Sequence, residues 1–153
     1  MQIFVLDTNP YLSSSILYRL SPLRGRKMIT EYLQILACCF SSGTVLKKDG
    51  SPMSRPKSRM NHPCVLWARK SAKNQKWLLE ACRELYHQYR ESGGQAFKWV
   101  VPNIERIDYF LFEEIPAASE FLNFAKSDAK NLDFTNITDP VLAYNTYLKE
   151  QIG

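Results

Sequence analysis

Arg26-Lys27-Met28-Ile29-Thr30-Glu31-Tyr32-Leu33-Gln34-Ile35-Leu36-Ala37-Cys38-Cys39-Phe40 is the stretch that decides the fold class. Met28, Tyr32, Ile35 and Cys39 recur at helical spacing, and Ile29, Leu33, Leu36 and Phe40 follow the same rhythm one place on. A helix brings both sets onto one wide apolar face, so residues 26–40 are expected to form a helix at the centre of the core. Glu31 and Gln34 are its polar exceptions.

Upstream, Ser21–Gly25 reads as a break between this helix and an earlier one over Tyr11–Leu20, with Pro10 at its first position and Asp7 or Asn9 as its cap. Ile3–Leu6 is a short apolar run, either a buried strand or an extended start packed on the core. Downstream, Gly43, Gly50, Pro52 and Pro56 among many Ser, Lys and Arg mark residues 41–60 as a basic loop, with a hairpin around Lys48-Asp49-Gly50. Asn61-His62-Pro63 opens a long helix over Cys64–Ser92, striped by Leu78, Cys82, Leu85 and Tyr89 and stopped at Gly93-Gly94. Residues 95–116 read as irregular and aromatic, Ala117–Ala125 as a short helix. Thr138-Asp139-Pro140 caps a last helix over Val141–Gln151, with Tyr144 and Leu148 facing inward. The expectation is a mainly α protein: one compact helical domain over residues 1–153 with a short N-terminal extended segment.

The 153 residues are 45% hydrophobic and 23% charged, which suits one globular domain and excludes whole-chain disorder. A chain of this size folds without a disulfide or a structural metal. The four cysteines, Cys38, Cys39, Cys64 and Cys82, show no CxxC or Cys/His zinc spacing and read as buried reduced thiols. With no secretory signal and no apolar run of membrane-spanning length, a cytoplasmic protein with no membrane partner is expected. Neither a cofactor nor a metal is expected.

Charge is unevenly spread. Residues 1–97 hold 15 Lys/Arg against 6 Asp/Glu, and residues 98–153 hold 5 against 9. Lys47–Lys76 is the densest stretch, with nine basic residues and only Asp49 opposing them. Such asymmetry points to a polyanion, either nucleic acid or an anionic surface. Arg24, Arg26 and Lys27 before Glu31, Arg59, Asn61 and His62 around the Asn-His-Pro turn, and Arg69, Lys73 and Lys76 on one face of the expected long helix are the candidate phosphate contacts. Trp67 and Trp77 lie near the last three, and basic plus aromatic side chains are what phosphates and unstacked bases use. Glu31, withdrawn from water within the most apolar helix, is the candidate proton-transfer residue. The start Ile3-Phe4-Val5-Leu6-Asp7-Thr8-Asn9 looks like the first motif of a PIN-type nuclease, which would make Asp7 a metal ligand alongside Glu31, Asp128, Asp133 or Asp139.

Four blocks together resemble a phage family described as pyrimidine-dimer DNA glycosylases. They are Met1–Pro10; Lys27-Met28-Ile29-Thr30-Glu31 through Ala37; Asn61-His62-Pro63 followed by Trp67, Arg69, Ser71, Asn74 and Trp77-Leu78; and the closing Asp139–Tyr144. The resemblance implies a helical enzyme acting on damaged or modified DNA, without metal. The amine at the chain's start attacks the sugar C1′, a glutamate on an early helix assists, and basic residues grip the phosphates. Carried over, Glu31 is the catalytic glutamate, Arg26 and Lys27 are the basic residues, and Met1, retained before the bulky Gln2, supplies the amine. Arg24-Gly25-Arg26 departs from the family's usual sequence there. The location implied is the host cell cytoplasm. Two alternatives stand beside this one: a non-catalytic module binding nucleic acid, a nucleotide or a host protein, and the metal-dependent nuclease built on Asp7.

Overall fold

The computed structural model describes residues 2–111, 126–127, 132–133, 139, 141–142, 144–146 and 148. Its first helix is set up by Asp7-Thr8-Asn9-Pro10. Asp7 accepts the Asn9 N–H at 2.8 Å, and Asn9 Oδ1 accepts those of Tyr11 and Leu12 at 2.9 and 3.1 Å. These bonds satisfy amides that have no partner within the helix. Helix α1 then runs Pro10–Leu20.

Helix α2 spans Pro22–Ala37, so it starts before Arg26 and stops short of Phe40. The break expected over Ser21–Gly25 shrinks to Ser21, because Pro22 occupies a first position where no amide hydrogen is needed. Gly25 is a point of close approach inside the helix. A Cβ there would lie 2.8 Å from Cδ2 and 3.3 Å from Cα of Tyr18, so the missing side chain lets α1 pass.

Ile3–Leu6 is the extended start and not a strand; each residue is buried and none pairs in a sheet. Helix side chains satisfy its backbone instead. Phe4 N–H donates to Tyr32 Oη at 3.0 Å, Ser13 Oγ donates to the Phe4 carbonyl at 2.7 Å, and Leu6 N–H donates to Ser13 Oγ at 3.0 Å. Trp77 Nε1 adds a bond to the Thr8 carbonyl at 2.8 Å. Buried backbone groups left unpaired would make this burial unfavourable.

The helix expected over Cys64–Ser92 is two helices. After a single turn at α3, Lys57–Met60, helix α4 covers Pro63–Arg69 and α5 covers Ala72–Glu91. Ser71 is extended and caps α5 by accepting the Asn74 N–H at 3.1 Å. Asn74 in turn donates to the Trp67 carbonyl at 2.9 Å, which ties the end of α4 to the start of α5. The stretch read as irregular contains α6, Val100–Leu111. Val100, Ile104, Ile107 and Leu111 form its buried stripe. Pro102 is tolerated because it falls in the first turn, where amides lack partners anyway.

The basic loop does hold a hairpin. Leu46 bridges Pro52, Gly50 turns with φ 85°, and Val45 and Met53 drop into the core. A short antiparallel pairing joins β1, Lys126–Ser127, to β2, Leu132–Asp133. Residues 141, 142, 144–146 and 148 are helical, Asp139 accepts the Val141 N–H at 3.0 Å, and Tyr144 and Leu148 are buried. Ala117–Ala125 lies outside the described residues.

The fold is mainly α. One hydrophobic cluster takes in residues from Ile3 to Leu148, and α5 is its hub, packing on α1, α2, α4 and α6. Among the described residues no helix is long and apolar enough to cross a membrane.

Candidate functional site

Arg24, Lys27, Met28 and Glu31 follow the i, i+3, i+4, i+7 pattern that stacks side chains on one face of α2. The extended start lies along that face and contributes Gln2 and Phe4. With Ser21 and Leu23 these residues enclose a hollow of about 200 Å³. Glu31 is half-buried in it, Lys27 is exposed at it, and the Arg24 guanidinium sits 5.9 Å from the centre of the Phe4 ring. The hollow therefore combines a carboxylate, two cations and an aromatic face. Such a set can hold a phosphate while a proton is moved nearby. Met1 lies outside the described residues, but its covalent neighbour Gln2 is part of the wall.

The other sequence candidates disperse. Arg26 turns away from Arg24 and Lys27 and lies over Tyr89 and Phe97, 5.6 and 5.7 Å from the ring centres. His62 caps α4, its Nδ1 accepting the Cys64 N–H at 3.1 Å, and burial pushes its pKa below the ordinary value. A neutral ring spent on a cap is a weaker phosphate ligand than an imidazolium. Asn61 is exposed at the end of α3. Arg59 donates to the Ser54 carbonyl at 3.1 Å. Burial raises the Cys38 thiol pKa, while Arg59, Arg55 and Arg69 pull it down. Three arginines thus gather near the C-terminal end of α2, where the helix dipole favours cations.

The expected face of Arg69, Lys73 and Lys76 does not exist as one surface. The break between α4 and α5 separates Arg69 from the two lysines. Lys73 is exposed, but Lys76 is only 8% exposed and pairs with Glu80 at 3.2 Å and with Asp108. Its charge is directed at two carboxylates of the fold instead of at an open basic face. Trp67 and Trp77 are also core residues, packed edge to face with ring centres 6.4 Å apart.

Asp7 spends a carboxylate oxygen on the Asn9 N–H, and Asp139 caps Val141. The side chains of Asp128 and Asp133 lie outside the described residues. Among the described residues no group of three or more His, Cys, Asp or Glu side chains could hold a metal ion.

Sequence reasoning missed a second and larger hollow, of about 730 Å³, between the hairpin and the start of α6. Lys47, Lys48, Lys98 and Arg106 line it with Phe97 and Trp99. Phe97-Lys98-Trp99 carried the signal, an alternation of aromatic and cation just after a helix stop. Comparison with protein-family models, with curated proteins and with solved structures finds no match to this chain.

Proposed function

We propose that the chain is a DNA glycosylase/AP lyase-like enzyme that works at the Glu31 pocket through an amine nucleophile. One observation carries the reading: Gln2, next to the amine-bearing residue, lines the same hollow as Glu31, Arg24 and Lys27. In this reading the neutral α-amine of Met1 attacks the sugar C1′ of a damaged nucleotide, the C1′–N glycosidic bond breaks and the base leaves with a proton. The sugar ring then opens, its O4′ taking up the proton given up by the amine, to leave a Schiff base. At an abasic aldehyde the same amine forms the Schiff base with loss of water. An α-amine has an ordinary pKa of about 8, so a usable fraction is neutral near pH 7. Glu31 stabilises the positive charge developing at C1′ and takes up or returns the proton. Arg24 and Lys27 hold the flanking phosphate. Damage lowers the cost of extruding the nucleotide, which is a few kcal/mol in intact duplex.

The test is borohydride trapping on duplex DNA carrying an abasic site, with EDTA present. A covalent adduct is expected, lost when the N-terminal amine is blocked. Glu31→Gln is expected to slow base release by about 100-fold or more with DNA binding retained. No adduct at protein concentrations that shift the same DNA in a gel would leave a binding module without this chemistry. Undiminished release by Glu31→Gln would remove Glu31 from the mechanism.

A further inference from the structure

The larger hollow has walls that are fixed before any ligand arrives. Asn103, fully buried on α6, donates from Nδ2 to the carbonyls of Leu46 and Trp99 at 2.8 and 2.9 Å. Its Oδ1 accepts the Leu46 N–H at 2.9 Å and Arg106 Nη2 at 2.7 Å. Arg106 Nε reaches the Thr44 carbonyl at 2.9 Å. One amide thus clamps the hairpin, the Trp99 backbone and a guanidinium in register. A preformed site loses less entropy when it binds.

Its chemistry is one-sided. Lys47 and Lys48 stand on the hairpin side, Lys98 and Arg106 on the α6 side, and no carboxylate is among the described residues that line it. Both lysines of the hairpin are exposed, as is Lys98. Trp99, half-buried, lines the hollow together with both cation pairs, and Phe97 is held by stacking on Tyr89 with ring centres 5.0 Å apart. Cations on two sides of a hollow that also holds an aromatic wall suit a base with a phosphate before and after it. A free mononucleotide carries one such group and would leave one side unmatched.

We infer that this groove binds single-stranded nucleic acid, stacking a base on Trp99 and placing consecutive phosphates on Lys47/Lys48 and on Lys98/Arg106. Thr30 lies in the groove and its chain neighbour Glu31 in the smaller pocket, so the two open on adjoining faces of α2. The inference does not rest on chemistry at Glu31.

The experiment uses the full chain and a fluorescein-labelled oligothymidylate of about ten nucleotides, read by anisotropy across a salt series. Trp99→Ala is expected to weaken binding by about ten-fold, the loss of one stacked base. Lys47→Gln with Lys48→Gln is expected to lower the slope of log K against log salt by about 0.7 for each lysine removed. The lysines are exposed, so this second variant keeps the groove testable if Trp99→Ala unfolds, which circular dichroism reports. Three results would overturn the inference: unchanged affinity in a folded Trp99→Ala, an unchanged salt slope in the double lysine variant, or thymidine monophosphate competing as strongly as the oligonucleotide. Base release is not read in this assay, so failure here and failure of the Glu31 mechanism are distinguishable.

Discussion

At the scale of the residue, His62 shows how an attractive functional side chain can be held by a local duty. Its Nδ1 accepts the Cys64 N–H that opens α4, which only an unprotonated nitrogen can do. Burial lowers its pKa in the folded chain from the ordinary 6.5. The unfolded chain therefore binds the proton more readily. The stabilisation is complete above 6.5 and is lost as pH falls through the lower folded value. Asn is an equivalent cap that does not titrate. Wild-type protein is expected to lose more stability than His62→Asn between about pH 7 and about pH 5. Chemical denaturation at the two pH values measures it, and parallel losses in both proteins would show that His62 contributes nothing to acid sensitivity. Glu31 is the contrasting case. Its place as a polar exception on an apolar helix was legible from spacing alone, and it does face a hollow.

At the scale of the element, the ion network on α5 matters more than the basic face once expected there. Glu80 is 5% exposed and accepts from Tyr11 Oη at 2.7 Å, Lys76 Nζ at 3.2 Å and Arg83 Nε at 3.1 Å. Lys76 and Arg83 both reach on to Asp108 of α6, so α1, α5 and α6 are joined through charges. Removing one partner of a buried pair leaves the other desolvated and uncompensated. Lys76→Met is expected to destabilise the protein by roughly 3 kcal/mol, and Glu80→Gln in the same chain to return part of that loss. A double-mutant cycle on unfolding free energies measures the coupling; additive losses would mean the two side chains do not act together. The Asp108 arm of the network was not visible in sequence, because Asp108 lies in a stretch whose proline and aromatics masked a helix. Helix α1 and most of α2 were legible from cap chemistry and apolar period, which are local. The split between α4 and α5 had only a faint local sign, the cap-type residue Ser71 that accepts the Asn74 N–H, and it is completed by Asn74 reaching seven residues back to the Trp67 carbonyl across a run that is otherwise helical in pattern.

At the scale of the whole molecule, the chain start, α2, α4 and α5 meet in one cluster, and its thiols can report whether they come apart together. Cys64 lies on α4 and Cys82 on α5, both buried, with burial pushing each thiol up to about 12. The Cys82 Sγ–H points to the Ile29 carbonyl of α2 at 3.5 Å. A thiol so placed is shielded and almost entirely protonated at neutral pH, so it reacts only after opening. If the seven-residue α4 were a loosely attached piece, Cys64 would open well before Cys82. Its full burial and its place in the same cluster as Ile3 and Tyr32 argue otherwise. Neither thiol is expected to react with a disulfide reagent in native buffer on the timescale that modifies the denatured chain. In a graded denaturant series both modification rates should rise along one line set by global unfolding. Mass-spectrometric mapping of each labelled cysteine separates the two positions. Early labelling of Cys64 alone would place α4, and with it the His62 turn, in a separately opening unit. The pocket wall formed by the chain start would then have to be treated as mobile relative to α5.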